Sequence, residues 1–140
     1  KLFAAVAILY GVLDRRSSPL DPVLRSLVTV RVSQVNWCAF CVNINTMTLA
    51  SRTGSTDKVQ ALENWAQSDL FDVSERLALE YAEAMTYSDR QVTDDLMQRL
   101  KSVFDDDTIV ELTGLVAFQN LSSKFNSALD VPAQGFCKQP

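Results

Sequence analysis

Histidine is missing from this 140-residue chain. The side chain whose ordinary titration falls near neutral pH is thus not available as base, acid or metal ligand. Glycine and proline number only four each, too few for the turn-rich texture of an all-β fold. Three cysteines are too few, and odd in number, for a disulfide framework, so a reducing cytoplasm is the expected location. Clustered positive charge is missing too. The 13 Lys and Arg are scattered, only Arg15-Arg16 are adjacent, and the net charge is −4. A nucleic-acid partner is not expected, because phosphate backbones select for grouped cations. No apolar run reaches the roughly 20 residues that a membrane span needs. No membrane partner is expected either.

The longest apolar run is Leu2-Phe3-Ala4-Ala5-Val6-Ala7-Ile8-Leu9-Tyr10-Gly11-Val12-Leu13. A lysine precedes it, as in a signal peptide, but Asp14-Arg15-Arg16-Ser17-Ser18 offers no convincing small-residue cleavage site. The run reads as a helix that is buried or faces another subunit, and a homo-oligomer is expected. Because the first residue is lysine, a true start further upstream is expected.

What is present is an ordinary globular composition, 47% hydrophobic and 21% charged. The length suits one domain over residues 1–140, without repeats or linkers. The apolar spacing is helical nearly throughout, which predicts an all-α bundle of about six or seven helices. Asp21 followed by Pro22 opens the second helix, which carries Val28-Thr29-Val30 although β-branched residues favour strands. Asn36 is the expected cap of the third helix, which runs to about Arg52 and stops at Gly54. Ser55 or Thr56 starts a short helix to about Ala66, and Asp72 with Glu75 forms a capping-box variant. Thr93 or Asp94 opens the next helix. Asp105-Asp106-Asp107 then heads a long last helix ending before Pro132. That acidic run complements a helix dipole better than it makes a metal site.

The chemistry concentrates in Asn36-Trp37-Cys38-Ala39-Phe40-Cys41-Val42-Asn43-Ile44-Asn45. With Asn36 as cap, Cys38 falls in the first helical turn and Cys41 one turn on. Unpaired amides and the positive end of the dipole stabilise a thiolate there. A thiolate attacks peroxides or disulfides, and a second thiol on the same face can close an internal disulfide. Zinc is the alternative, but it normally takes four ligands, and only Cys137 remains to join the pair. Two inert buried thiols are the other alternative.

The wider neighbourhood carries a resemblance. Leu24-Arg25-Ser26-Leu27-Val28-Thr29-Val30-Arg31-Val32-Ser33-Gln34-Val35-Asn36 and the cysteines after it resemble the core of the alkylhydroperoxidase D and carboxymuconolactone decarboxylase family. The string is similar to that of its peroxidase-related branch. Residues 74–86 and Phe125-Asn126-Ser127-Ala128-Leu129, with the tail to Cys137, extend the likeness over roughly residues 20–137. The resemblance implies an all-helical, oligomeric protein whose cysteine pair, Cys38 and Cys41, reduces a peroxide without a cofactor. It also implies a proton relay, with a glutamate twelve residues before the first cysteine and a histidine four after the second. Here those positions hold Ser26 and Asn45, neither of which accepts a proton at neutral pH. Decarboxylation belongs to the branch without the cysteine pair, and no residues here match it.

The expectation is therefore a thiol-dependent peroxidase-like oxidoreductase acting on a peroxide or small disulfide and recharged by a thiol reductant. The competing expectation is a degenerate helical scaffold or redox sensor. Glu83 and Glu111 are candidates for a substitute base, although surface or structural roles suit them better. Cys137, in the tail, is a candidate accessory thiol or a free surface thiol. Trp37 is expected to pack in the core. Arg25 and Arg31 are candidates to orient an anionic substrate, or else are solvated or paired.

Overall fold

The computed structural model describes residues 1–135. Among them are seven α-helices and no strand. The helices are α1 (Leu2–Leu13), α2 (Pro22–Val35), α3 (Ala39–Thr53), α4 (Asp57–Ala61), α5 (Val73–Thr86), α6 (Asp94–Lys101) and α7 (Asp106–Ala128), with a 3₁₀ turn at Leu62–Gln67 after α4.

Most ends are set by side chains that meet otherwise unpaired amides. Asp21 accepts hydrogen bonds from the Val23 and Leu24 amides, and Pro22 follows in the first turn. Asp72 and Glu75 form a complete capping box, each carboxylate accepting from the other's backbone amide. Thr93 caps α6 and Asp105 caps α7, where its side chain accepts from the Thr108 amide. Gly54, at φ +68°, ends α3 in the left-handed conformation that glycine adopts without strain. The segment expected as one helix to about Ala66 instead leaves α-helical geometry after Ala61 and continues as a 3₁₀ turn kinked at Asn64. That turn brings the Trp65 indole Nε1 within 2.9 Å of Glu83 Oε1, a tertiary contact that local propensity does not encode.

Helix α2 is the hub. Its Leu24, Val28 and Val32 join a core with Leu77, Ala78, Tyr81, Leu96, Leu100, Leu112 and Val116 from α5, α6 and α7. Its Leu27 and Val30 face a second cluster with Leu49, Leu62, Phe71 and Leu79. Burial on both faces explains why the β-branched run stays helical: tertiary packing outweighs a propensity worth a few tenths of a kcal/mol per residue, about 0.7 at most. Helix α1 docks through Leu13 and through the Tyr10 ring, 6.2 Å from that of Phe118. Its other apolar residues, Leu2, Phe3, Ile8, Leu9 and Val12, are exposed. The run, expected to be buried or to face another subunit, has only its Leu13 buried within one chain. No helix of the described residues is long and apolar enough to cross a membrane.

Candidate functional site

The cysteine pair sits where α2 turns into α3. Asn36, expected to cap α3, in fact closes α2, its amide donating to the Val32 carbonyl. Trp37 then takes φ +57°, a left-handed conformation that bulky residues rarely adopt, and its side chain is 88% exposed. The tryptophan does not fill the core, because the reversal at its own Cα throws the indole outward. Cys38 comes next, and it is the cap itself. Its Sγ accepts a hydrogen bond from the Cys41 amide at 3.1 Å, and its amide donates to the Ser33 carbonyl. The expected helix start is thus off by two residues, and Cys38 Sγ itself meets a first-turn amide. The sulfur occupies the place that an Asp or Ser oxygen holds at other caps.

Cys38 and Cys41 are paired at disulfide distance, with Cα atoms 5.2 Å apart, and both are at most 2% exposed. Their polar neighbours are amides and hydroxyls. Asn126 Nδ2 donates to Cys41 Sγ at 3.5 Å. The buried Ser33 hydroxyl donates to the Thr29 carbonyl and accepts from Asn45 Nδ2 at 3.3 Å and Gln119 Nε2 at 2.9 Å. Asn36 Nδ2 donates to both Asn120 Oδ1 and Ser123 Oγ, tying the end of α2 to α7. Sequence reasoning missed Gln119, Ser123 and Asn126 as a group. Their i, i+4, i+7 spacing lays the three on one stripe of α7, but the helix carries many other polar residues, among them Asn120, Ser122, Lys124 and Ser127, so the spacing alone did not single them out.

The two relay positions come together. Ser26 and Asn45 line one cavity of about 20 Å³ between α2 and α3, together with Thr29, Thr48, Arg52 and Asp14. Neither brings a base. The Ser26 hydroxyl accepts from Arg52 Nη1 at 2.8 Å, and the same guanidinium grips the Asp14 carboxylate at 2.9 and 3.1 Å. Arg25 is not solvated but 5% exposed, its Nη1 donating to the Leu13 and Arg15 carbonyls and its Nε lying 3.6 Å from Asp14.

The substitute carboxylates are committed elsewhere. Glu83 takes hydrogen bonds from Arg31 at 2.7 Å, Trp65 at 2.9 Å and Arg90 at 2.6 Å. Burial pushes its pKa up, but those donors outweigh burial and hold it below the usual carboxylate range. Glu111 is likewise held low, chiefly by the two hydrogen bonds from Arg15. Arg31, bound to Glu83, has a structural partner rather than a free guanidinium. Cys137 lies outside the described residues. Among the described residues, no three His, Cys, Asp or Glu side chains are grouped to hold a metal ion.

Comparison with known proteins places this geometry. The chain is 52% identical to the uncharacterized protein YnjA of Escherichia coli over 139 residues, covering 99% of this chain and 76% of that one. Its fold matches an uncharacterized peroxidase-related protein from a Silicibacter species with a TM-score of 0.88 at 23% identity, over 97% of this chain and 72% of that one. It also matches a protein of unknown function from Agrobacterium tumefaciens, proposed as an AhpD-type antioxidant defence protein. There the TM-score is 0.86 at 24% identity, over 95% and 90% of the two chains. The sequence pattern of the carboxymuconolactone decarboxylase family matches residues 1–84, from α1 through the cysteine pair and into α5, and the chain belongs to that family.

Proposed function

We propose that the protein is a thiol-dependent peroxidase-like oxidoreductase whose working groups are Cys38 and Cys41. The observation that carries this reading is the buried pair at disulfide distance on the amide-rich start of α3. A thiolate of the pair attacks the peroxide oxygen, the O–O bond breaks, and the leaving oxygen departs as alcohol or water once protonated. The sulfenic acid so formed is attacked by the second thiolate, the S–S bond closes, and water leaves. An external thiol reductant then restores both thiols with two electrons. The peroxidase-related and AhpD-type names of the structural neighbours support a peroxide substrate, and the reading extends to a small disulfide as substrate and to a cytoplasmic homo-oligomer.

One observation favours a second reading, a redox-sensing or scaffold protein. Ser26 and Asn45 hydrogen-bond to Arg52 and Ser33, so neither relay position supplies a base. General acid–base help is worth about 10²–10⁴-fold, and turnover without it is slow.

The test measures peroxide consumption with a small dithiol as reductant. The peroxidase reading expects many equivalents consumed per chain, and loss of that consumption in Cys38→Ser and Cys41→Ser. Consumption that stops at one equivalent per chain, with the disulfide formed, selects the sensor. No disulfide and no consumption eliminate both redox readings.

A further inference from the structure

We infer that Asn126 is the thiolate-stabilising residue of the thiol pair: its carboxamide N–H holds the Cys41 sulfur as a thiolate in the reduced protein. The inference rests on the thiol–disulfide reading above and adds a group from the far end of the chain. Asn126 Nδ2 lies 3.5 Å from Cys41 Sγ, a hydrogen-bonding distance for an acceptor as large as sulfur. A disulfide sulfur accepts such a bond weakly and a thiolate accepts it strongly, so the contact favours the reduced, ionised form.

Two features hold the amide in place. Gln119, Ser123 and Asn126 form one stripe of α7, and all three meet the segment Ser33–Cys41: Gln119 at Ser33, Ser123 at Asn36 and Asn126 at Cys41. The terminal turn of α7 folds back so that the Val131 amide donates to the Asn126 carbonyl at 3.0 Å. Asn45, the nearer amide by sequence, is bound to Ser33 instead.

The two donors that reach the sulfurs, the Cys41 amide at Cys38 and the Asn126 carboxamide at Cys41, are uncharged. Arg31 of α2 is bound to Glu83, Arg52 of α3 to Asp14, and Lys124 and Asp130, at the end of α7, are exposed. A carboxamide neither gains nor loses a proton across the working range, so its help does not vary with pH as that of an imidazole does. Lowering the pKa of Cys41 also makes it the better leaving sulfur when a reductant opens the disulfide at Cys38.

The experiment follows alkylation of the fully reduced full chain by a small iodo-reagent across pH, reading each cysteine separately by peptide mass spectrometry. Asn126→Ala is expected to raise the Cys41 midpoint by about one pH unit, as loss of one hydrogen bond to a charged group does. Asn126→Asp, nearly the same shape, raises it further because a carboxylate then faces the thiolate. The Cys137 profile stays where it was. If Asn126→Ala unfolds, the aspartate variant still decides. Cys41 midpoints equal to wild type in the folded variants overturn the inference. Because the readout needs no turnover, the two proposals fail separately. A shift without peroxide turnover leaves the inference standing and removes the peroxidase reading, whereas turnover without a shift does the reverse.

Discussion

Trp37 shows how a residue can defeat reasoning from type alone. An indole beside a buried cysteine reads as core, since aromatic side chains mostly pack. Left-handed backbone is normally announced by Gly or Asn, and a tryptophan gives no such warning. Yet Asn36 closes one helix and Cys38 caps the next, so a single residue must reverse the chain between them. Trp37 carries that reversal, and its exposure follows. A direct measurement separates the two readings. A core tryptophan cut to glycine costs about 3–5 kcal/mol or more. Here Trp37→Gly relieves the left-handed strain and gives up little burial, while the unfolded chain gains freedom. Denaturant unfolding is expected to show a change within about 1 kcal/mol of wild type, on the stabilising side if strain dominates. A loss of several kcal/mol would restore the tryptophan to the core. Ser26 and Asn45 teach the converse lesson. Their departure from the relay pattern was legible in the sequence, and the structure shows the hydrogen bonds each now makes.

At the scale of elements, boundaries were legible wherever a cap carried its own signal. Asp21-Pro22, Asp72 with Glu75, Thr93 and Asp105 all stand where local chemistry puts them. The start of α3 was misplaced because asparagine is as good a cap as any, and nothing local says that Asn36 already serves α2. The break after α4 was illegible for a different reason. It accompanies Trp65 reaching Glu83, whose other partners lie on α2 and just beyond α5. That carboxylate ties three segments together and makes acid sensitivity an element-scale property. Its folded pKa lies below the ordinary range, so its stabilisation is fully present above the unfolded pKa. It fades as pH falls through the folded value. Glu83→Gln removes the charge that Arg31, Trp65 and Arg90 all address. The variant is expected to lose about 2–4 kcal/mol at neutral pH, as broken buried pairs do. It should also unfold with a shallower dependence on acidity between neutral pH and about pH 3. Urea unfolding across that range checks both, and an acid limb as steep as wild type would assign the sensitivity elsewhere.

For the whole molecule, the family pattern ends at residue 84, whereas the α7 groups that meet the Ser33–Cys41 segment lie beyond it. The sequence alone made the all-α architecture and the cysteine pair plain. It could not show that α7 returns to the α2–α3 junction, since that is long-range packing. The same packing leaves α1 half-covered. Phe3 is 86% exposed and Ile8 69%, and Leu121 and Phe125 on α7, with Leu129 just after it, add further exposed apolar surface. Scattered apolar residues are normal on a surface, but a helix that exposes six of its large ones, Tyr10 among them, is not. A second copy of the chain is the simplest cover, and self-association follows as the expectation. Light scattering at micromolar concentration should give a multiple of the 15.6 kDa chain mass. Phe3→Glu with Ile8→Lys should then lower that mass while leaving helical content and the unfolding midpoint of the dissociated chain intact, because neither side chain is buried within one copy. A mass of one chain in the unsubstituted protein would overturn that expectation. An unchanged multiple in the double variant would move the interface off this face.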